Sequence, residues 1–302
     1  MICVMTLPKI TVVTLSYNQG QFLEQTIKSV LEQDYPNLEY IIMDGGSTDN
    51  SVEIIKKYEQ HLAYWQSQPD GGQSAAINAG FLRATGEILC WLNSDDQFCP
   101  NTLQIIGQYF CDHQECEWVS GSLEFRDFTS GNTFIRHAYR NHDWSMVNFW
   151  VYGHADGAFC PQPSTFWRQG LWNRAGGHVR EDKPNSMDYE LWLRFCKLAE
   201  LEIIPHVLAT AVLHDACKSV KNLHRQRMET ILTAYEFAAQ NGIPLTSRQL
   251  LAYERRQFDR ALYCIRTFAP RGLLYRLFNL LAGPLLLCSM TGREKMWITY
   301  GD

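Results

Sequence analysis

KITVVTLSYNQGQFLEQTIKSVLEQDYPNLEYIIMDGGSTDNS, residues 9–51, is the stretch whose reading decides the fold. Residues 9–17 are rich in β-branched side chains and end in the loop NQGQ. Phe22, Leu23, Ile27, Val30 and Leu31 then line one stripe of a helix over 22–33. LEYIIMD (38–44) is a second apolar strand, closed by GGSTDN, where Ser47 to Asn50 offer N-caps to the helix SVEIIKKYEQ. The alternation continues outward with a strand at about 62–67, a small-residue helix at 72–84 and the strand EILCWLN at 87–93. Apolar strands joined by helices predict a mostly parallel, Rossmann-like α/β sheet covered by helices.

Ligands of such sheets bind at the carboxyl ends of the strands. Those ends carry Tyr17 and Asn18, then Asp44, then Asp70, Gly71 and Gly72, then Asn93, Ser94, Asp95 and Asp96. Four polar strand ends are expected to converge on one crevice.

The middle of the chain is less regular. It predicts a helix at 101–111, β-like pieces at 117–126 and 133–137, a loop with Trp144, Phe149, Trp150 and Tyr152, and the block PSTFWR at 163–168. The amphipathic helix MDYELWLRFCKLAE and the strand LEIIPHVLATAVLH follow; from Leu223 the pattern is helical, first to Asn241 and then from Thr246 to about Phe268. The expected organisation is a catalytic domain over 1–222, with a nucleotide half at about 9–97 and an acceptor half at about 98–222, then a helical basic region over 223–302.

Composition bounds the function. With 302 residues, 46% hydrophobic and a net charge of -5, the chain is an ordinary globular one; disorder, a collagen-like fibre and a disulfide mini-scaffold are excluded. Ten scattered cysteines, without CxxC or Cys/His metal spacing, read as reduced thiols of a cytosolic protein, and the N-terminus lacks the features of a signal peptide. Residues 1–220 hold 15 Lys+Arg against 26 Asp+Glu, whereas 221–302 hold 12 against 6. An acidic body does not suit nucleic acid. In the basic tail, the 16 uncharged residues between Arg276 and Arg293 include Asn279, Gly283 and Pro284 and fall short of a span. They suit an interfacial helix at the inner face of a membrane, or a helix buried on the catalytic domain or in a homo-oligomer contact.

The chain lacks GxGxxG after its first strand and lacks GxxxxGK[ST], so a phosphate-bearing substrate must be held another way. Asp95 and Asp96, with Asn93 before them, are hard oxygen ligands suited to Mg²⁺ or Mn²⁺ on a diphosphate; a solvated turn is the alternative. Asp44 is equally an Asx-turn residue, and Gly71 and Gly72 are turn formers. Leu191, Phe195 and Leu198 form a buried stripe led by Asp188, with Glu190 off the stripe on the surface. Trp167 and Arg168 line an acceptor side if the indole stacks on a sugar, or belong to a core strand.

The blocks TVVTLSYNQGQFLEQTIKSVLEQDYPNLEYIIMDGGSTDNS, SQPDGGQSAAINAGFLRATGEILCWLNSDD, QPSTFWR, MDYELWLRF and LHDACKS together resemble glycosyltransferase family 2, inverting nucleotide-sugar transferases with the A-type fold. The resemblance runs from about Lys9 to Ser219. It implies that Thr14, Tyr17 and Asn18 flank the base and ribose, that Asp44 accepts from the base, and that Asp70 lies against it with Gly71, Gly72 and Gln73 beside the phosphates. It further implies that Asn78 shapes the donor pocket, that Asp95 faces ribose or sugar, and that Asp96 and His214 hold the metal, with Lys218 and Ser219 on phosphate oxygens. The family's catalytic base corresponds to Asp188, second in a pair whose first acid is here Met187. A helix cap remains the alternative for Asn78, a structural histidine for His214 and helix-dipole stabilisation for Asp188.

The implied activity is metal-dependent, inverting transfer of a hexosyl or N-acetylhexosaminyl group from a nucleotide-diphosphate sugar to a glycan or lipid-linked acceptor, in bacterial surface polysaccharide synthesis. A nucleotidyltransferase making nucleotide-sugars and a non-catalytic scaffold of the same fold are the rivals.

Overall fold

The structure, a computed structural model, describes residues 6–138 and 160–243. The chain divides into two compact units, Met1–Gln249 and Leu250–Asp302. The second unit lies outside the described residues, as do the aromatic loop containing Trp144 and Trp150 and the apolar tail segment 277–292. No helix among the described residues is long and apolar enough to cross a membrane.

Nine strands build one sheet: β1 (Ile10–Ser16), β2 (Leu38–Asp44), β3 (Tyr64–Ser67), β4 (Ile88–Asn93), β5 (Asp96–Phe98), β6 (Trp118–Asp127), β7 (Thr133–Arg136), β8 (Thr165–Arg168) and β9 (Glu202–Leu213). The order is β3-β2-β1-β4-β8-β6-β9-β5, with β7 beside β6. β1 lies between parallel partners, Val13 opposite both Ile41 and Trp91, and β3 extends the parallel half. Beyond β4 the sheet is mixed: β8 runs antiparallel to β4 and β6, and β9 runs parallel to β6 and antiparallel to β5. The short link between β6 and β7 permits only an antiparallel hairpin.

β1, β2 and β4 are buried on both faces, and the period of two sorts their side chains. Val13, Ile41, Met43 and Trp91 face one core, beneath α3 (Gln73–Phe81), α5 (Gln169–Arg174) and α6 (Met187–Cys196). Val12, Tyr40, Ile42 and Leu92 face the other, beneath α1 (Gly20–Leu31) and α4 (Thr102–Asp112), while α2 (Ser51–Tyr58) adds Ile55. The short α7 (Lys218–Lys221) and the long α8 (Leu223–Gln240) follow.

The first core is a tryptophan cluster. Trp91 and Trp192 stack with centroids 6.0 Å apart, and Trp167 stands edge-on to both at 5.5 and 5.6 Å. Trp167 is therefore fully enclosed and unavailable to an acceptor sugar, a correction to the sequence reading. Arg168 is corrected likewise. It pairs in register with Ile88 at the amino end of β4, bonds the carbonyls of Cys116 and Phe110 at 2.8 and 3.0 Å, and pairs with Glu87.

The sequence places α8 in the tail region, but it lies in the first unit and its charges bond the residues that enter α6. Glu229 accepts from the Asn185 N–H at 2.7 Å and from Ser186 Oγ at 3.1 Å, Thr233 meets Ser186 Oγ at 3.1 Å, and Lys183 pairs with Glu236 at 2.7 Å. These contacts fix the residues entering α6, which carries Asp188. On α6 itself Leu191 and Phe195 are enclosed as expected, whereas Leu198 is exposed because the helix ends at Cys196.

At the amino end of the sheet Glu39 accepts from Thr11 Oγ1, the Thr85 N–H and Thr85 Oγ1 at 2.6 to 2.7 Å, and meets Lys9 Nζ at 2.9 Å. Burial alone would raise its pKa, but these donors outweigh burial and hold it at about 2.

Two outcomes are expected. Trp167→Ala should lower stability by about 3–5 kcal/mol in chemical denaturation, because a large enclosed ring is lost, while refolded protein keeps its nucleotide affinity. Glu39 has a folded pKa below its unfolded value, so its stabilisation is present above the unfolded pKa and fades as pH falls toward about 2. Melting curves of Glu39→Gln should accordingly lose part of the acid dependence of the parent.

Candidate functional site

The cleft lies at the carboxyl ends of β1 to β4. Its first wall is Tyr17, which is 63% exposed, the backbone of Gly45 and the carboxylate of Asp70. The three are close neighbours: a Cβ on Gly45 would lie 3.3 Å from the Tyr17 ring and 3.2 Å from Asp70 Oδ2. An aromatic ring, a glycine backbone and a carboxylate thus lie side by side.

Asn18 shapes the loop behind them. Its φ of 51° is left-handed, a region that asparagine tolerates, and its side-chain oxygen accepts from the Thr48 N–H at 2.8 Å. Thr14 is a correction. It is fully buried, and its hydroxyl accepts from Tyr40 Oη at 3.0 Å, so it does not reach the cleft. Asp44 is 1% exposed and takes up the turn role left open in the sequence: it accepts from the Gly46 and Ser47 N–H groups and from the hydroxyls of Ser47 and Ser67, at 2.6 to 3.2 Å.

The second wall is the start of α3. Gly72 has φ 98°, accessible to glycine, and its N–H donates to Asp70 Oδ1 at 2.7 Å. No side chain among the described residues caps α3, which leaves the amides of its first turn suited to an anion. Gln73 bridges inward: its Nε2 donates to Asn93 Oδ1 at 2.9 Å, and its Oε1 accepts from Lys218 Nζ at 2.8 Å. Asn93 in turn donates to Asp96 Oδ2 and Gln162 Oε1 at 3.0 and 3.1 Å. Asn78 is elsewhere engaged. It clamps the Val179 backbone through both amide atoms, at 2.8 and 3.0 Å, and so positions the segment ahead of α6 instead of lining the donor pocket or capping its own helix.

The two adjacent aspartates differ sharply. Asp96 is 6% exposed, and burial, then the charge of Asp95, push its carboxyl well above the usual range, with Asn93 opposing. Asp95 is more open and turns toward His214, whose Nε2 lies 3.1 Å from Asp95 Oδ2. The sequence reading had paired His214 with Asp96. The His214 ring stacks on Phe22 with centroids 4.2 Å apart, and its Nδ1 is buried without a partner among the described residues. Cys217 Sγ completes the group, with the ligand atoms of Asp95, His214 and Cys217 all within 4.8 Å of one another.

Such a group could hold a metal ion. Two cis ligands of an octahedral ion with bonds of about 2.1 Å lie about 3 Å apart, a spacing that the 3.1 Å hydrogen bond between His214 and Asp95 already has.

Asp188 opens α6 on the other side of Lys218. It is partly exposed, and its one bond among the described residues is to its neighbour, the Tyr189 N–H, at 2.8 Å. Burial raises its pKa; the backbone N–H groups and Lys218 oppose that rise, and Glu229 adds to it. Met187, where the family resemblance implied an acid, is buried, and Ser74 Oγ approaches its sulfur at 2.9 Å. Glu190, expected on the surface, is buried and chelates Arg194 at 2.7 to 3.1 Å. Lys218 Nζ also bonds the Pro184 carbonyl. Ser219 follows Lys218 in α7, and its side chain lies outside the described residues.

Sequence reasoning missed Gln162, whose Nε2 donates to the Trp91 carbonyl at 2.6 Å, and Cys217. The spacing His-x-x-Cys in HDAC was a readable signal for the second; nothing in the sequence distinguished Gln162.

The model of glycosyl transferase family 2 matches residues 11–173. Over 92 residues the chain is 44% identical to an uncharacterized glycosyltransferase of Mycobacterium tuberculosis, covering 30% of this chain and 35% of that protein. Chondroitin synthase of Pasteurella multocida is 24% identical over 73% of this chain and 22% of its own length. The chain thus spans about a third or less of these relatives. Among solved structures, a mannosyltransferase from Pyrobaculum calidifontis in complex with GDP-Man and Mn²⁺ superposes with a TM-score of 0.59 at 17% identity, over 95% of this chain and 82% of that one. That likeness gives the fold, an A-type glycosyltransferase fold.

Asp44→Ala should unsettle the turn, since four donors lose a buried acceptor at once. The expected loss is about 1–3 kcal/mol in denaturant melts, together with weaker nucleotide binding. Unchanged stability with weakened binding would instead make Asp44 a contact residue for the base.

Proposed function

The chain belongs to glycosyl transferase family 2, and from that membership we propose that it transfers a sugar, hexosyl or N-acetylhexosaminyl, from a nucleoside-diphosphate donor to a hydroxyl of a glycan or lipid-linked acceptor, with inversion. The observation that carries the proposal is the Asp95–His214 pair at 3.1 Å, joined to Asp188 through the polar run Asp96, Asn93, Gln73 and Lys218. The Mn²⁺ and GDP-Man of the Pyrobaculum complex support a divalent cation, Mn²⁺ or Mg²⁺, and a nucleotide-sugar. The chondroitin synthase match supports a polysaccharide product.

Each element then has work suited to its chemistry. Tyr17, Gly45 and Asp70 receive the nucleobase and ribose. The open amides of α3 and the Lys218 ammonium face the diphosphate, giving positive potential in an acidic body. Asp95 and His214 would hold the cation, which when bound supplies neutralising charge for the diphosphate that leaves. Asp188 takes the proton from the acceptor hydroxyl as that oxygen attacks, and one such carboxylate suffices for a single inverting displacement. Its raised pKa makes it a stronger base than an exposed aspartate, and α8 holds the start of its helix.

Incubation with a panel of nucleotide-sugars, with and without Mn²⁺, tests the reaction class. Release of nucleoside diphosphate that depends on the cation is the expected result; release of pyrophosphate from nucleotide triphosphate and sugar phosphate would indicate a nucleotidyltransferase. Asp188→Asn should lower kcat by roughly 10²–10⁴-fold with donor affinity retained. In the parent, kcat should rise with pH as Asp188 loses its proton, over a range above that of an ordinary aspartate, and the variant should lack that limb. Donor affinity collapsing together with rate would make Asp188 a binding residue.

A further inference from the structure

Resting on the cation reading above, we infer that Cys217 is a third, soft donor of that site and makes it prefer a thiophilic cation, Zn²⁺ or Co²⁺, over Mg²⁺. Asp95 Oδ2 lies 3.1 Å from His214 Nε2 and 4.0 Å from Cys217 Sγ. A hard ion such as Mg²⁺ uses oxygen ligands, whereas Zn²⁺ and Co²⁺ are bound well by one carboxylate, one imidazole and one thiolate.

The sulfur is held for this purpose by the backbone. The His214 N–H donates to Sγ at 3.2 Å, and Sγ lies 3.2 Å from the Val212 carbonyl, so the turn after β9 fixes the thiol and the imidazole as one unit. Cys217 is 6% exposed, and the His214 side chain is 5% exposed with one ring nitrogen lacking any partner among the described residues. The three ligand atoms lie within 4.8 Å of one another, and an ion bound to all three would draw the thiol toward the other two.

Binding through sulfur forms the metal–sulfur bond and breaks the S–H bond; the proton is released to solvent, and no oxidant or reductant takes part. Zn²⁺ would therefore compete with Mg²⁺ or Mn²⁺ for the same carboxylate and imidazole. The ion present in the medium would set how much of the protein can take up a donor.

Cobalt titration of the full chain tests the inference without reading sugar transfer. Co²⁺ should produce a near-ultraviolet thiolate-to-cobalt charge-transfer band, and added Zn²⁺ should abolish it. Cys217→Ser should lose the band and weaken Zn²⁺ binding about tenfold or more while Mn²⁺ affinity changes little; Cys217→Ala, checked for folding by its melting curve, should behave the same way. Asp95→Asn should lose Mn²⁺ and Co²⁺ affinity together. No band in the parent, or a band and Zn²⁺ affinity unchanged in both Cys217 variants, would overturn the role of the thiol. In that case Mn²⁺ binding that still depends on Asp95 would leave the transferase reading standing. Mn²⁺ binding indifferent to Asp95 would remove the cation site itself.

Discussion

The Thr26 hydroxyl, fully buried, shares its one proton between the carbonyls of Ser94 and Asp96, each 2.8 Å away, and the layout of the strand-end residues around Asp95 and Asp96 rests on that contact. β4 is enclosed on both faces up to Leu92 and must then leave the core with charged residues still to place. By tying the exit turn to α1, Thr26 sends consecutive side chains to different surroundings. Asp96 goes inward to Asn93 and Asp95 outward to His214. Phe22, four residues earlier on the same helix, stacks on the His214 ring, so α1 positions both members of the pair.

The remaining groups reach the cleft by other routes, and their charges complement one another. The carboxylates at the strand ends would repel without a cation, while the uncapped start of α3 and Lys218 suit an anion. The nucleoside diphosphate and divalent ion of the proposed reaction would complement both halves. Asp188 stands near Lys218 on a helix whose entry is fastened by Glu229 and Thr233 of α8, so the proposed base is positioned by a segment far along the chain.

The parallel half of the fold was legible because β-branched strands buried on both faces carry a strong pattern, and the strand-end residues Tyr17, Asp70, Gly72, Asp95 and Asp96 could be located from it. What could not be read was the direction of each side chain. Trp167 and Arg168 depend on the register of an antiparallel strand, β8, that pairs across from β4, and no local pattern encodes that register. Thr14 turned inward because Tyr40 on the neighbouring strand supplies its partner, and Asn78 because the Val179 backbone does. Glu190 was assigned to the surface by helical phase alone. Its burial is made possible by Arg194 one turn later, which bonds in addition the carbonyls of Ala175 and His178. The pairing of His214 with Asp95 in preference to Asp96 follows from the turn held by Thr26, a contact between residues 68 and 70 positions apart.

The central claim is that one cation sits between Asp95 and His214 and there meets the diphosphate. Anomalous diffraction at the manganese edge, from crystals soaked in Mn²⁺ and a nucleoside diphosphate, tests it most directly. The account predicts a single strong peak in contact with Asp95 Oδ2 and His214 Nε2, with diphosphate density running from it toward the start of α3. A manganese peak elsewhere, or diphosphate bound at α3 with no peak between those two side chains, would contradict it.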